Sequence, residues 1–222
     1  MRGTKKIDWL NHFLEFIVVI VGILIAFQLN TCSEEKKEQL LIDRHVENVV
    51  QEARFNRENI EQTIKASERL SENIDSLIAL IGNKGDLRSI NDLGLRVLSY
   101  NNAYYKKTAY NTMVTSGDIR FFENLELRDA IISLYEYYAW AEGIDKASLE
   151  NYSNYYYPYV AEHFDLIAGS PQDISVYDNK SYLNILATYN YMMKNRIAKQ
   201  KEILEKTTEF LESYTPRANP VN

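Results

Sequence analysis

Cysteine is almost missing from this chain. Cys32 stands alone, so no intrachain disulfide can brace the fold and packing must hold it. Breakers of regular structure are scarce too. All four prolines (Pro158, Pro171, Pro216 and Pro220) fall in the last third, and only eight glycines are spread over 222 residues. That scarcity favours long helices. The net charge is −6 and no basic patch interleaves with aromatics, so no nucleic-acid partner is expected. Chemistry is thinly supplied. The histidines, His12, His45 and His163, lack any H-E-x-x-H or paired metal spacing, so neither a metal nor another cofactor is expected. No G-x-S-x-G, P-loop or dinucleotide fingerprint occurs. Glu162, His163 and Asp165 are close in sequence, but adjacent residues on a helix do not face each other. The chain is not expected to be an enzyme, and no catalytic residue is nominated.

What is present begins with "FLEFIVVIVGILIAFQLNTC", residues 13–32. Trp9 to Leu29 would make about 31 Å of helix, close to the roughly 30 Å hydrocarbon core of a bilayer. The strictly apolar part, Phe16 to Phe27, is also short enough for a signal-peptide core. A retained anchor is the better reading. Trp9 sits where interfacial aromatics concentrate, Glu15 lies inside the run, and "FQLNTC" offers no small-x-small cleavage site. Leu29 three places before Cys32 leaves lipidation of that cysteine open, although Asn30 and Thr31 replace the usual small residues. Lysine and arginine are tied across the span, with Arg2, Lys5 and Lys6 before it and Lys36, Lys37 and Arg44 after it. A short leading tail and a long following domain suit a signal anchor with the domain outside the cytoplasm. Glu15, Gly22, Ala26 and Gln28 are the candidate polar and helix-packing residues of the span. Glu15, Gly22 and Ala26 share one stripe, where small residues let a second helix approach. Glu15 either snorkels to the headgroups or faces such a partner.

Beyond the span a heptad seam runs from residue 42 to 81. One seam position holds Val46, Ala53, Ile60, Ser67, Ile74 and Ile81; the other holds Ile42, Val49, Asn56, Thr63, Leu70 and Leu77. The polar middle argues for packing inside a bundle of the same chain, with Asn56 setting register. "GNKGD" (82–86) reads as a turn, and Ser89 as the N-cap of a helix to about Tyr105. Residues 108–122 read as a short helix closed by Gly117. Asn124 would then open a long helix that Gly143 could bend and Pro158 must distort. After a loop, a last helix spans about Ser181 to Ser213. The expected fold is all-α: a transmembrane helix followed by an antiparallel helical bundle with long helices. Its organisation is a cytoplasmic tail (1–8), a span (9–30), an extracytoplasmic bundle (34–213) and a flexible tail (214–222).

Two local features invite a role. In "TSGDIRFF", the group Ser116, Gly117, Phe122, Asn124 and Arg128 is expected to organise a chain reversal, with Arg128 pairing Asp118 or Glu123. The 17 tyrosines are the compositional oddity. Tyr135, Tyr138, Tyr152, Tyr155, Tyr156 and Tyr159 would either fill grooves of the bundle or form an interaction patch.

The span, Glu15 followed by "VVIVGILIAFQLN", and the stretch "YNTMVTSGDIRFFENLELRDAIISLYEYY" (110–138) resemble the bacterial domain-of-unknown-function family 6090. The chain departs from that pattern at "NTCSE", where the family places an Asn-Trp-Asn-Glu-like exit. The resemblance implies a single-pass bacterial membrane protein with a helical extracytoplasmic domain, and it supplies no activity. The combined expectation is an inner-membrane protein with its bulk in the periplasm. It would contact the lipid bilayer and other membrane or envelope proteins, or a second copy of itself, as a structural or interaction subunit. The alternative is a ligand-sensing bundle. With only about eight residues before the span, a sensor would have to signal through a partner membrane protein.

Overall fold

The computed structural model describes residues 9–214, without the side chains of residues 10–12. The expected tails, 1–8 and all of 214–222 except Tyr214, lie outside the described residues. Among the described residues the fold is all-α apart from one two-residue ladder. Helix α1 runs unbroken for 74 residues, Trp9–Gly82. The helix does not pause between the apolar run and the bundle: residues 31–33, which lie between the expected span and the expected bundle, are helical. With no proline and no glycine between Gly22 and Gly82, nothing in the sequence interrupts the hydrogen-bond ladder.

Helices α2 (Leu87–Val97) and α3 (Thr108–Ser116) descend along α1, joined by an extended connector. Helix α2 is capped by Asp86, whose side chain accepts from the Ser89 amide at 2.9 Å. The expected Ser89 cap and the extension to Tyr105 are therefore corrected. Asn56 supplies the reason for the early end. Its Nδ2 donates to the Lys106 carbonyl at 2.9 Å and its Oδ1 accepts from the Lys106 amide at 2.8 Å, holding the connector extended. Asn56 thus fixes a loop rather than the register of a facing helix.

Helix α4 (Leu125–Asn151) continues through one π turn, Tyr152–Tyr156, into α5 (Tyr157–His163). Pro158 lacks an amide hydrogen and crowds the carbonyl four residues back, and the wider turn just before it relieves both conflicts. Gly143 lies within α4 and does not end it. After the ladder of β1 (Phe164–Asp165) and β2 (Ser170–Pro171), α6 (Lys180–Tyr214) returns the full length of the bundle. Ser67 pairs with Arg196 and Ser71 with Asn190, so α6 is antiparallel to α1. Tyr138 pairs with Thr207 and Asp145 with Arg196, so it is antiparallel to α4 as well. Of the twelve seam positions expected on α1, Val46 is half-buried and the rest are buried.

The core has two apolar parts. The lower part gathers Val49, Ala53, Ile60, Met113, Phe122, Ile131, Tyr138 and Ile203, among others. The upper part gathers Ile74, Leu77, Val97, Tyr156, Tyr182, Leu186, Tyr189 and Met193.

Candidate interaction site

Between the two apolar parts lies a polar layer. Arg196, 1% exposed, donates from Nε to Asp145 Oδ1 at 2.6 Å, from Nη1 to Ser67 Oγ at 2.8 Å and from Nη2 to the Asn101 carbonyl at 2.7 Å. Gln200 Nε2 donates to the same Asp145 oxygen at 3.1 Å, and Tyr105 donates to Gln200 Oε1 at 2.8 Å. The guanidinium also lies over the Tyr100 ring, 5.2 Å from its centroid. One buried cation thereby ties α1, the connector, α4 and α6. Breaking such a pair from one side leaves an uncompensated charge, which is why all four segments must sit at one height. None of these residues was singled out as a site from the sequence.

Lower down, Glu52 accepts from the Tyr135 hydroxyl and from the Ala109 amide at the start of α3, the latter at 3.0 Å. His45 Nε2 donates to Asp118 Oδ2 at 2.8 Å and Ser116 Oγ donates to the same oxygen at 2.6 Å. Those two donors, Ser116 first, hold the Asp118 carboxyl below its ordinary value.

The reversal motif is placed as the sequence implied, with one correction. Gly117 has φ +79° and closes α3, its amide donating to Met113 and Val114 carbonyls. A residue with a Cβ is strained there. Asn124 caps α4 by accepting from the Leu127 amide at 3.0 Å, and Phe122 is buried. Arg128, however, pairs with Asp129 at 2.9 Å and not with Asp118 or Glu123. His45 has already engaged Asp118, through a contact 73 residues long in sequence.

Of the two readings of the tyrosines, the filling of bundle grooves is the one the structure shows, with Tyr155 the exception. Tyr135, Tyr138 and Tyr156 are buried and Tyr152 and Tyr159 half-buried, while Tyr155 alone of the six points outward. Stacked pairs such as Tyr105–Tyr138 and Tyr156–Tyr189 build the interior, so these rings form core rather than a shared surface. Burial pushes the Tyr138 and Tyr177 hydroxyls up to about 12, raises those of Tyr105, Tyr135, Tyr182 and Tyr189 further, and holds that of Tyr156 well above its ordinary value.

A long continuous apolar surface open to a partner lies on α1. Residues 13–30, including Glu15, Gly22, Ala26 and Gln28, are exposed on every side, and the helix is long and apolar enough there to cross a membrane. Gln28 Nε2 reaches the exposed Cys32 sulfur at 4.0 Å. Residues 32–40 follow as bare helix, exposed all round, before the bundle closes on Ile42. Among the described residues no group of three or more His, Cys, Asp or Glu side chains could hold a metal ion.

The profile of a family described as "Family of unknown function (DUF6090)" matches residues 15–155. No curated protein and no solved structure matches the chain.

Proposed function

The chain belongs to this family of unknown function, DUF6090, and on that premise we propose a single-pass membrane protein that binds other proteins of the bacterial envelope. The span would lie in the inner membrane and the bundle in the periplasm. One observation carries the reading: the exposed apolar run and the spine of the bundle are the same unbroken helix. An apolar surface of that length has a physical use only where lipid or a partner covers it. The folded part beyond it is braced by buried hydrogen-bond networks that hold the bundle as a firm body for a partner to dock on. The test uses the full chain in bacterial cells. The protein is expected to resist alkaline carbonate extraction of membranes, to keep its N-terminal segment by intact-mass measurement, and to be digested by protease added to spheroplasts. A mature chain beginning at or after Cys32, or release into the soluble fraction, would sink it.

A further inference from the structure

Just above the bare stretch of α1, a groove of about 770 Å³ opens between α1 and the start of α4. Its floor is apolar: Ile42, Val46, Val50, Phe122 and Leu127. Its rim is acidic. Asp43, Glu47 and Glu123 stand along it, against the single guanidinium of Arg54. Asp43 and Glu47 accept only from the amides of Gln39 and Gln51, at 2.8 and 3.4 Å. Among the described residues no cation pairs with any of the three carboxylates.

We propose that this groove receives a basic amphipathic helix from a second, membrane-anchored protein, running alongside α1. The inference rests on the membrane reading above and names the partner it calls for. An apolar floor a little over two turns long, from Ile42 to Val50, is what the apolar face of a helix covers. Three unpaired carboxylates select lysine or arginine on its flanks. The groove starts about 18 Å beyond Asn30 along the helix, within reach of a chain leaving the same bilayer. Its α1 residues also continue the side that carries Gly22 and Ala26: Asp43, Glu47, Val50 and Arg54 follow them in four-three spacing, the drift that a wrapping partner helix follows. A second copy fits poorly. Packing α1 on α1 in parallel would set Asp43 and Glu47 against their own equivalents, and like charges repel there.

The probe is a fluorescent synthetic helix with leucine on one face and lysine on its flanks, beside the same peptide with glutamate for lysine. Each is titrated by anisotropy against the full chain in nanodiscs. The lysine peptide is expected to bind and the glutamate peptide not. Asp43→Lys with Glu47→Lys and Glu123→Lys, all at exposed positions, should weaken lysine-peptide binding by roughly tenfold and admit the glutamate peptide. Should the triple variant lose its cooperative melt, Asp43→Lys alone is read, with about a threefold loss expected. In cells, a photo-crosslinker at Gln51 should capture a membrane protein with a basic helix beside its span. Binding indifferent to charge reversal, no binding, Gln51 crosslinking to another copy, or tighter peptide binding after deletion of 215–222 would each overturn the proposal. The last would give the groove to the chain's own tail. Carbonate extraction is read separately, so the groove can fail while the membrane reading stands.

Discussion

Raising the pH to about 11 is expected to unfold the helical domain, and the tyrosines set the midpoint. Tyr105, Tyr135, Tyr138, Tyr156, Tyr177, Tyr182 and Tyr189 are each at most 5% exposed. Desolvation is the largest cause of the raised values, and it favours the neutral phenol. In the unfolded chain the same side chains titrate near 10. Below pH 10 both states are protonated and the full stability is present. As pH rises above 10 the unfolded chain sheds protons that the folded one keeps, so stability falls with pH. At pH 11 each of the seven costs about 1.4 kcal/mol, together about 10 kcal/mol, comparable to the roughly 5–15 kcal/mol holding a typical domain. Phenolate absorbance and far-ultraviolet circular dichroism should therefore change together, in one cooperative step between about pH 10 and 11.5. The bundle alone, residues 34–214, or the full chain in detergent would serve. A gradual ionisation of all 17 tyrosines with helicity intact would refute the reasoning, because it would mean that these hydroxyls reach water in the folded state.

Three further outcomes concern stability under chemical denaturation. Arg196→Met should cost about 3–5 kcal/mol by leaving Asp145 uncompensated, and adding Asp145→Leu should restore much of it; a single variant within about 1 kcal/mol of the parent would contradict the polar layer. Phe122→Ala should cost about 3–5 kcal/mol, since the ring is buried against α1, and an unchanged midpoint would place it outside the core. Gly117→Val should cost about 1–2 kcal/mol from its left-handed backbone alone, as no atom lies within 4 Å of the new Cβ; a larger loss would mean steric contact instead.

Much of the fold was legible because seam positions repeat strictly. The α1 seam, the Gly117 reversal and the Asn124 cap all follow from local spacing, and the structure places each there. The polar layer was half-visible. Asn56, Thr63 and Ser67 are polar seam residues on α1, and matching polar positions occur on two other helices. On α6 the spacing Tyr182, Leu186, Tyr189, Met193, Arg196, Gln200, Ile203 puts a charge and an amide in the seam. On α4, the spacing Ile131, Leu134, Tyr138, Ala141, Asp145, Ser148 puts a charge and a hydroxyl there. Three helices that go polar at seam positions invite one shared layer. Other features depend on contacts distant in sequence. Asn56 holding Lys106 shortens α2, and His45 holding Asp118 turns Arg128 elsewhere. The π turn shifts angular register between Tyr152 and Tyr159, so a uniform helical wheel misplaces Tyr155 among inward-facing rings.

The unbroken α1 makes the protein a lever. Beyond Asn30 the helix extends about 78 Å to Gly82, with the bundle clamped along most of that length. Spans commonly lean about 20° from the bilayer normal, and a lean of that size swings the far end sideways by about 27 Å. That is more than twice the roughly 10 Å width of a helix. With the span in a bilayer, as proposed, a thinner or thicker membrane would displace the distal hairpin, where Ile167 is fully exposed, far more than the groove at the base of the bundle. A ligand held at the base would feel little of the bilayer's thickness, and one held at the tip would feel most of it.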